Sequence, residues 1–516
     1  MNSKPPSETK TLRWWPAALI LIVALGRLLW IWLRDAQQLQ DRVVPTILTV
    51  SVTVIALLLW LLLFSRIRWA ARLKALGGIV ALFAVFLGLF RFEGFSGDLL
   101  PMFSFRFGAA PDLADASGSA DTPIATSPTD YPQFLGSHRD GVVRGTRLVR
   151  DWSSQPPKEL WRRDVGESWS AFAVVGPAAV TQEQRGEQEA VARYDLLTGE
   201  PVWVTMTTDY RFESPIGGTG PRATPTLFEG AVYSFGSSGV LTRLDLRDGS
   251  IQWQHDTLAE TGAKAPEWQM SGSPLIVDDL VVVSAGGPDG QSLIAYDQAT
   301  GEKRWSAGDD PASYSSPSLF ELAGKRQVVI RNQGSITGHE PVDGQILWSQ
   351  PWPGGQPNVA QPLPLPEDRL LVSSGYGIGS TLYQFTSDEA GALEVSEVWQ
   401  SPRLKAKFTN PVFYEGHVYG LDDGVLVCLD PETGERCWKR GRYGHGQLIL
   451  VGDLLLLIAE EGDLFLIEAN PEEHRVVAEL PGALDGKSWN NPALSGKYLL
   501  LRDADTAVCY EVALEG

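Results

Sequence analysis

The pattern of apolar and polar positions divides the chain into two parts. Residues 1–107 contain three long, nearly uninterrupted apolar runs, at 14–33, 43–64 and 75–90. From residue 131 onward the apolar residues come in short alternating runs such as AVYSF, HVYGL and VLVCL, separated by turns rich in Gly, Asp and Pro. Long apolar runs are typical of membrane-spanning helices, whereas alternation indicates β-strands. The sequence therefore predicts a helical membrane anchor followed by a domain made of strands.

The first part predicts a membrane anchor at 1–92 with three transmembrane helices, at about 14–33, 43–64 and 70–90. The third apolar run, 75–90, is short for a membrane span. The helix can begin near residue 70 if the basic side chains before the run extend to the lipid headgroups. Basic residues precede the first run and separate the second from the third. The positive-inside rule then places the N-terminus in the cytoplasm and the part after the third helix in the periplasm. We expect a multi-pass protein of the bacterial inner membrane.

Residues 93–130 are predicted to form a flexible linker. Their later part, GAAPDLADASGSADTPIATSPTD, consists of small, polar and acidic residues that offer little apolar surface for packing. The strand-rich domain then occupies 131–516.

A decapeptide recurs through the second part of the chain. Four clear copies are YDLLTGEPVW at 194–203, LDLRDGSIQW at 244–253, YDQATGEKRW at 296–305 and LDPETGERCW at 429–438, and a looser copy, HEPVDGQILW, lies at 339–348. The Asp and Gly suit a turn between two strands, and the Trp can pack against a neighbouring unit. The predicted structural positions are Asp195, Gly199, Trp203, Asp245, Gly249, Trp253, Asp297, Gly301, Trp305, Gly344, Trp348, Asp430, Gly434 and Trp438.

The spacing of these tryptophans predicts the architecture. Trp161, Trp203, Trp253, Trp305, Trp348, Trp399 and Trp438 are separated by 42, 50, 52, 43, 51 and 39 residues. Such spacing fits one four-stranded propeller blade. An eighth position falls near Leu480, where the Trp is lost, and the chain ends after three further strands. The strand KELWRRDVG at 158–166 has no blade before it, so we predict an all-β eight-bladed β-propeller whose last blade this strand closes.

Charge and cysteine content narrow the functional classes. Residues 1–107 hold 12 Lys/Arg and 5 Asp/Glu, or +7, so the other 409 residues hold 31 and 57, or −26, of the total −19. A domain this acidic repels nucleic acid, which we do not expect as a partner.

Cys428, Cys437 and Cys509 form no CxxC and no adjacent pair. These cysteines predict neither a disulfide framework nor a zinc site. At most one disulfide can form between them, and the simpler interpretation is that they are small apolar side chains buried in the core.

The decapeptide and its spacing resemble the pyrroloquinoline-quinone (PQQ) repeat family, whose repeat reads Ala-x-Asp-x-x-Thr-Gly-x-x-x-Trp. The resemblance covers 131–516 and includes the lead-in YPQFLGSHRDGV at 131–142. It implies a PQQ-like, quinoprotein-like propeller of one of two classes. Quinoprotein dehydrogenases hold PQQ and calcium on the propeller axis, and some carry a multi-span anchor. Non-enzymatic members include the scaffold lipoprotein of the outer-membrane β-barrel assembly machinery.

The sequence departs from the dehydrogenases of this family. Their two adjacent cysteines are missing, and SAGGPDGQSLIAYDQATGEKRW at 284–305, which resembles the repeat before their catalytic aspartate, is not followed by Trp-Asp-x-Asp. Asp309 and Asp310 are the nearest carboxylates and suit a turn. No set of oxygen ligands for calcium can be assigned. We therefore predict no catalytic residue, no metal site and no cofactor; the alternative is a dehydrogenase that binds PQQ and calcium.

Candidate ligand-binding residues lie in the segments that lead into the first strand of each blade, because these strands line the axial channel. Most of these segments contain Ser-Pro, Thr-Pro or Asn-Pro, which favours a structural turn. The candidates are Arg222, Lys407, Asn410, Arg442, Tyr443, His445, Lys487, Trp489 and Asn490. The cations would bind a carboxylate or phosphate, and the Trp would stack on a planar ligand. Alternatively, the cations neutralise channel carboxylates and the Trp fills the core.

The predicted function is a membrane-anchored periplasmic module that binds or scaffolds, in envelope or outer-membrane protein assembly. Propeller faces offer broad surfaces to envelope proteins or peptides, and the acidic domain favours a basic or amphipathic partner. Two alternatives stay open. One is a membrane-bound PQQ-dependent quinoprotein dehydrogenase, and the other is a sensor propeller that binds a small anion at Arg222, Lys407 and Lys487.

Overall fold

The structure of the chain, a computed structural model, describes residues 13–34, 38–107, 113 and 124–515. It consists of two compact units, Met1–Ala110 and Pro111–Gly516. The first unit is mainly helical and the second is built of strands. Each is described by itself.

Three apolar helices dominate the first unit. They are α1 (Trp15–Leu33), α2 (Gln40–Leu59), which continues as a π-helical turn over Trp60–Phe64, and α3 (Trp69–Leu89). All three are long and apolar enough to cross a membrane. Most of their large apolar side chains are exposed, as suits helices surrounded by lipid rather than packed in a water-soluble core. The three predicted helices are confirmed as candidate membrane spans.

The predicted linker, 93–130, requires correction at both ends. Near its start, an antiparallel hairpin joins strands Phe90–Phe95 and Pro101–Phe105. Phenylalanines pair across this hairpin and stabilise it; the ring centres of Phe92 and Phe103 are 5.7 Å apart. At the other end, the side chain of Asp130 accepts a hydrogen bond from the Gly176 amide and so joins the propeller. Most of the intervening residues lie outside the described part of the chain.

The second unit is an eight-bladed β-propeller, as predicted. Each blade is an antiparallel sheet of four strands, a to d, from the axis outward. Blade 1 contains Ala173–Val175, Ala178–Arg185, Gln188–Asp195 and Pro201–Thr208; blade 2, Thr226–Phe228, Ala231–Phe235, Val240–Asp245 and Ile251–Asp256; blade 3, Leu275–Val277, Leu280–Gly287, Gln291–Asp297 and Lys303–Ala307; and blade 4, Ser318–Leu322, Lys325–Arg331, Ser335–His339 and Ile346–Pro351.

The remaining blades follow the same order. Blade 5 contains Leu363–Leu365, Arg369–Ser374, Gly379–Ser387 and Leu393–Ser401; blade 6, Val412–Tyr414, His417–Asp422, Val425–Asp430 and Glu435–Arg442; blade 7, Gln447–Val451, Leu454–Ile458, Leu464–Glu468 and Val476–Leu480; and blade 8, Ala493–Ser495, Tyr498–Arg502, Thr506–Glu511 and Lys158–Asp164. Short additions are the strand pair Glu213–Ser214 and Gly218–Thr219, a fifth strand of the blade 7 sheet at Val142–Val143, and a helical turn at Thr257–Thr261.

The decapeptide makes the turn between strands c and d. Asp195 accepts hydrogen bonds from the amides of Leu197 (3.0 Å) and Thr198 (2.9 Å), and Gly199 takes a positive φ of 70°. A carboxylate at the same place caps the turns of blades 2, 3 and 6. The repeated Asp and Gly are therefore explained by local turn geometry.

The repeated tryptophans join neighbouring blades. The Trp203 ring lies over Gly249 of blade 2, where a Cβ atom would come within 2.6 Å of it, and its Nε1 donates to the Leu246 carbonyl at 3.1 Å. The same indole-to-carbonyl bond recurs from Trp161, Trp253, Trp305, Trp399 and Trp438 to the following blade. Trp348 of blade 4 does not make this bond, because the following blade 5 has no decapeptide. The Trp348 Nε1 donates instead to Gln327 within blade 4.

The ring of blades closes as predicted. Strand Lys158–Asp164 pairs with Thr506–Glu511, so the chain's last three strands share a sheet with its first long propeller strand. The lead-in contacts the segment before strand a of blade 3, because the Arg139 guanidinium donates to the carbonyls of Ser273 and Pro274. Val142–Val143 pairs in parallel with strand a of blade 7.

Two faces follow from the alternating strand direction. The b–c turns and the d–a connections lie on one face, named here the rim face. The a–b turns and the decapeptides lie on the other, the turn face. The segments containing the candidate ligand-binding residues are d–a connections, so they belong to the rim face.

Candidate axial binding site

Aromatic and cationic side chains follow the rim face around the axis. All but one of the aromatic residues come from d–a connections, and the other from the b–c turn of blade 5. This set, named here the axial rim, consists of Trp169, Phe212, Trp268, Tyr314, Tyr376, Phe408 and Trp489 with the cations Arg222, Lys407 and Lys487.

One half of the axial rim is centred on Trp489. Its ring centre lies 4.9 Å from those of both Trp169 and Phe408. Lys487 places its ammonium 3.8 Å from the Trp489 ring centre, within cation–π range. The Trp489 Nε1 donates to Glu460 Oε1 at 2.9 Å. The planar group that could stack on a ligand is thus already in contact with other protein groups.

The other half is centred on Arg222. The guanidinium lies 5.4 Å from the Phe212 ring centre, and its Nε donates to the Trp268 carbonyl at 2.9 Å. Trp268 packs on Tyr314 at 5.7 Å between ring centres. Burial lowers the pKa of Arg222 to about 10. Its Nη2 is buried and has no hydrogen-bond partner, so this half of the rim offers an unused donor.

Lys407 is also buried on this face. Its Nζ lies 3.4 Å from Asp423 Oδ1 and 5.2 Å from the Tyr376 ring centre. The aliphatic stem covers Gly375, where a Cβ atom would come within 2.2 Å of it. The ammonium therefore neutralises a channel carboxylate, as the second interpretation of the cations proposed.

The structure brings five of the nine predicted residues together at the axial rim or against it: Arg222, Lys407, His445, Lys487 and Trp489. The His445 amide donates to Glu460 Oε2 at 2.9 Å, and its ring packs on Phe408. Arg442 is close by, because its Nη1 donates to the Asp423 carbonyl at 3.3 Å.

Two of the other three predicted residues, Asn410 and Asn490, connect neighbouring blades. Asn410 accepts a hydrogen bond from the Gln361 amide at 2.8 Å, and Asn490 donates to the Ser168 and Ser170 carbonyls. Both bonds connect neighbouring blades. Tyr443 lies away from the axial rim: its hydroxyl is 2.9 Å from Nε2 of His474, which belongs to the turn between strands c and d of blade 7.

Sequence reasoning missed most of the aromatic residues of the axial rim. Phe212, Trp268 and Tyr314 stand at different distances from the proline that precedes strand a of their blade. The available signal was weaker: an aromatic residue in most d–a connections, at no fixed position.

Two carboxylates of the rim face, Glu189 and Asp503, are each bound by protein donors. Glu189 accepts from the Ser237 amide and the Ser238 hydroxyl at 2.9 Å each. Asp503 accepts from the Gly486 and Thr506 amides at 3.0 and 2.8 Å. Burial raises the pKa of both, that of Asp503 to about 6. Calcium needs several converging oxygen ligands, whereas these described carboxylates each turn to separate protein donors.

Comparisons with known proteins agree with the fold. The sequence profile of the family described as outer membrane protein assembly factor BamB matches residues 149–440. The chain is 21% identical over 387 residues to outer membrane protein assembly factor BamB of Yersinia pestis, which covers 72% of this chain and 82% of that protein.

Similarity extends to quinone-dependent enzymes. The chain is 24% identical over 257 residues to the dehydrogenase subunit of alcohol dehydrogenase (quinone) of Gluconacetobacter polyoxogenes, which covers 42% of this chain and 32% of that protein. The crystal structure of quinohemoprotein alcohol dehydrogenase from Comamonas testosteroni matches with a TM-score of 0.52 at 14% identity, over 76% of this chain and 82% of that one. This structural likeness concerns the fold alone.

Proposed function

Because the chain belongs to the family described as outer membrane protein assembly factor BamB, we propose that it is a membrane-anchored scaffold for protein assembly in the bacterial envelope. Its three apolar helices anchor it in the inner membrane, with the N-terminus in the cytoplasm and the propeller in the periplasm. The propeller binds protein partners, catalyses no reaction and uses no cofactor. Fold alone does not imply this role, so the site has to support it.

The composition of the axial rim carries the proposal. Side chains that dominate the energetics of protein interfaces are Trp, Tyr and Arg. Trp268, Tyr314 and Tyr376 are half-buried, and Arg222 bonds to the Trp268 carbonyl while its buried Nη2 is unpaired. Glu267 is exposed next to Trp268. Such a surface suits an amphipathic segment that places apolar side chains on the rings.

Photo-crosslinking in cells tests which face binds. A crosslinking amino acid at Trp268 or Tyr376 probes the rim face, and one at Leu197 or Val342, both exposed in decapeptide turns, probes the turn face. We expect adducts with envelope assembly proteins from the rim positions. Equal labelling from both faces, or none from the rim, would contradict the proposal.

Matched variants test the residues. We expect Arg222→Ala with Trp268→Ala to reduce recovery of the crosslinked partner at least about tenfold, which corresponds to roughly 1.4 kcal/mol. Arg247→Ala, in a decapeptide on the turn face, should leave recovery unchanged. If the double variant folds and still captures the partner fully, the axial rim is not the binding site.

Titration of PQQ with calcium into the purified full chain tests the dehydrogenase alternative. Under the scaffold proposal neither ligand changes the midpoint of thermal unfolding. A saturable increase, together with dye reduction when an alcohol or sugar is added, would favour a quinoprotein. At about 100 times its dissociation constant, a ligand of the folded state stabilises by about 2.7 kcal/mol, which such a titration detects readily.

Reporter fusions test the proposed orientation. Alkaline phosphatase, which is active only outside the cytoplasm, should be active when fused after Glu515 and inactive when fused between α2 and α3. The opposite pattern would place the propeller in the cytoplasm.

A further inference from the structure

A bulge interrupts the pairing of strands c and d in every blade, and it directly precedes the tryptophan of strand d in all blades except blade 7, where it precedes Ala478. In blade 1, Arg193 faces Trp203 and Tyr194 faces Pro201, so Val202 is an extra residue opposite Arg193. The same shift of register occurs in every blade. Two residues of the bulged strand therefore oppose one residue of strand c. The opposed positions are nine residues apart in most blades, as 193 and 202 are.

Blade 6 places a cysteine at both positions. Cys428 faces Trp438 from strand c, and Cys437 is the bulge residue directly before that tryptophan. The Cys437 thiol is close enough to contribute, after burial, to the raised pKa of the Cys428 thiol. The bulge brings both Cys437 and Trp438 opposite Cys428, and a disulfide spans Cα separations of about 4.4–6.8 Å. We propose that Cys428 and Cys437 form a disulfide across strands c and d of blade 6.

The burial of the two thiols sets the order of reaction. Cys437 is exposed, whereas Cys428 is buried and its pKa is raised by that burial. The Cys437 thiolate attacks a sulfur of an oxidising disulfide, forms a mixed disulfide and releases one thiol. The Cys428 thiolate then attacks Cys437 Sγ and expels the second thiol. The pair loses two electrons, the oxidising disulfide gains them, and the protons of both cysteines leave with the released thiols.

Blade 8 contains a matched control for this geometry. Cys509 faces Trp161 just as Cys428 faces Trp438, but its bulge partner is Leu160. Cys509 is buried and free. The proposal therefore predicts that Cys509 stays reduced in the natural chain and gains a partner in a Leu160→Cys variant.

The bridge would act on the contact between blades 6 and 7. Trp438, next to Cys437, donates its Nε1 to the Asn470 carbonyl of blade 7 at 2.9 Å. Blade 7 lacks the decapeptide, so the Trp438 indole has no turn glycine to pack on, unlike the tryptophans that precede regular blades. A disulfide at Cys437 would fix the bulge before Trp438 and so hold the Trp438 indole against blade 7.

The state of the pair in cells rests on the proposed function, because disulfides persist in the periplasm and are rare in the cytoplasm. The capacity to form the bridge rests only on the geometry of blade 6. Testing the purified chain and the cells separately therefore distinguishes the two claims.

The test uses the full chain purified in detergent, reduced, and incubated with oxidised glutathione. Free thiols are then alkylated and the protein is mapped by mass spectrometry without reduction. We expect one bridged product joining Cys428 to Cys437, with Cys509 alkylated, and a raised thermal unfolding midpoint that Cys437→Ser abolishes. Three alkylated cysteines at every oxidant concentration, or glutathione retained on Cys437, would overturn the inference.

Two controls sharpen the result. Cys509→Ser should leave the bridge intact, and Leu160→Cys should add a second bridge to Cys509; failure of the second bridge in folded protein would contradict the role of the bulge. Acid-quenched cells should show the pair oxidised. A pair that is reduced in cells but bridges when purified would overturn the periplasmic location and not the disulfide.

Discussion

The turn face and the rim face of the propeller are built by opposite rules. On the turn face, a carboxylate, a glycine and a tryptophan recur at fixed positions, and each tryptophan docks on the next blade through the same backbone carbonyl. On the rim face, the d–a connections vary in length, and most of them place an aromatic or cationic side chain near the axis. Repetition serves the contacts that every blade needs, whereas a binding surface needs contributions that differ from blade to blade.

The largest expected effect tests the turn face. Trp203 is 4% exposed, and Trp203→Ala removes an indole packed between two blades. We expect a loss of about 3–5 kcal/mol in the free energy of unfolding, typical of a buried Trp cut to Ala. Thermal unfolding of the detergent-purified chain, followed by β-sheet circular dichroism, measures it.

Two controls accompany this variant. Leu197→Ala changes an exposed residue of the same decapeptide and should stay within about 0.5 kcal/mol. Trp268→Ala, on the axial rim, should cost less than Trp203→Ala because its ring is half-buried. A larger loss from Trp268→Ala would reverse the distinction between the two faces.

This difference explains how much could be predicted from the sequence. The decapeptide and its spacing predict eight blades and their closure, because Asp195, Gly199 and Trp203 act through local turn geometry and one nearest-neighbour contact. The axial rim could be predicted only in part. Which of its side chains meet depends on the length and course of eight unrelated connections, and Tyr443, adjacent to Arg442 in sequence, turns toward His474 instead.

A glycine substitution has the next largest expected effect. Gly249→Ala adds a Cβ atom at a φ of 72° and within 2.6 Å of the Trp203 ring, so it combines backbone strain with a clash. We expect it to cost about 2–4 kcal/mol. Gly230→Ala, at a φ of 76° with open space around its Cβ, isolates the strain and should cost about 1 kcal/mol. Equal losses from both variants would show that the indole does not constrain the turn.

Closure of the ring gives a smaller effect. The buried Arg502 guanidinium donates to Thr181 Oγ1 and to the Gly166 carbonyl at 2.9 Å each, which connects blade 8 to blade 1. Arg502→Met leaves these acceptors unpaired, and we expect a loss of about 1–3 kcal/mol. Arg331 has the same place in blade 4 and donates through Nη1 to Ser373 and Ser374 of blade 5, but its Nε and Nη2 are without partners. Arg331→Met should therefore cost less than Arg502→Met, and an unfolding midpoint lowered as far as in Arg502→Met would contradict this reasoning.

The smallest effect concerns the first residue of the irregular decapeptide, which is His339 where blade 2 has Leu244. Its Nδ1 donates to the Gly344 carbonyl at 3.0 Å, so its Nε2 accepts from the Thr337 hydroxyl at 2.8 Å, and the ring is neutral. Burial lowers the pKa of His339 below its usual value of 6.5. The unfolded chain then binds a proton at this residue more readily than the folded chain. The stability that depends on the neutral ring is present above pH 6.5 and is lost as the pH falls below it.

In His339→Leu, which copies blade 2, this part of the pH dependence should disappear. The difference in unfolding midpoint between the natural chain and the variant, measured from pH 7.5 downward, isolates the residue from other titrating groups. A difference that does not change with pH would mean that the imidazole keeps the same proton affinity in the folded and unfolded chains.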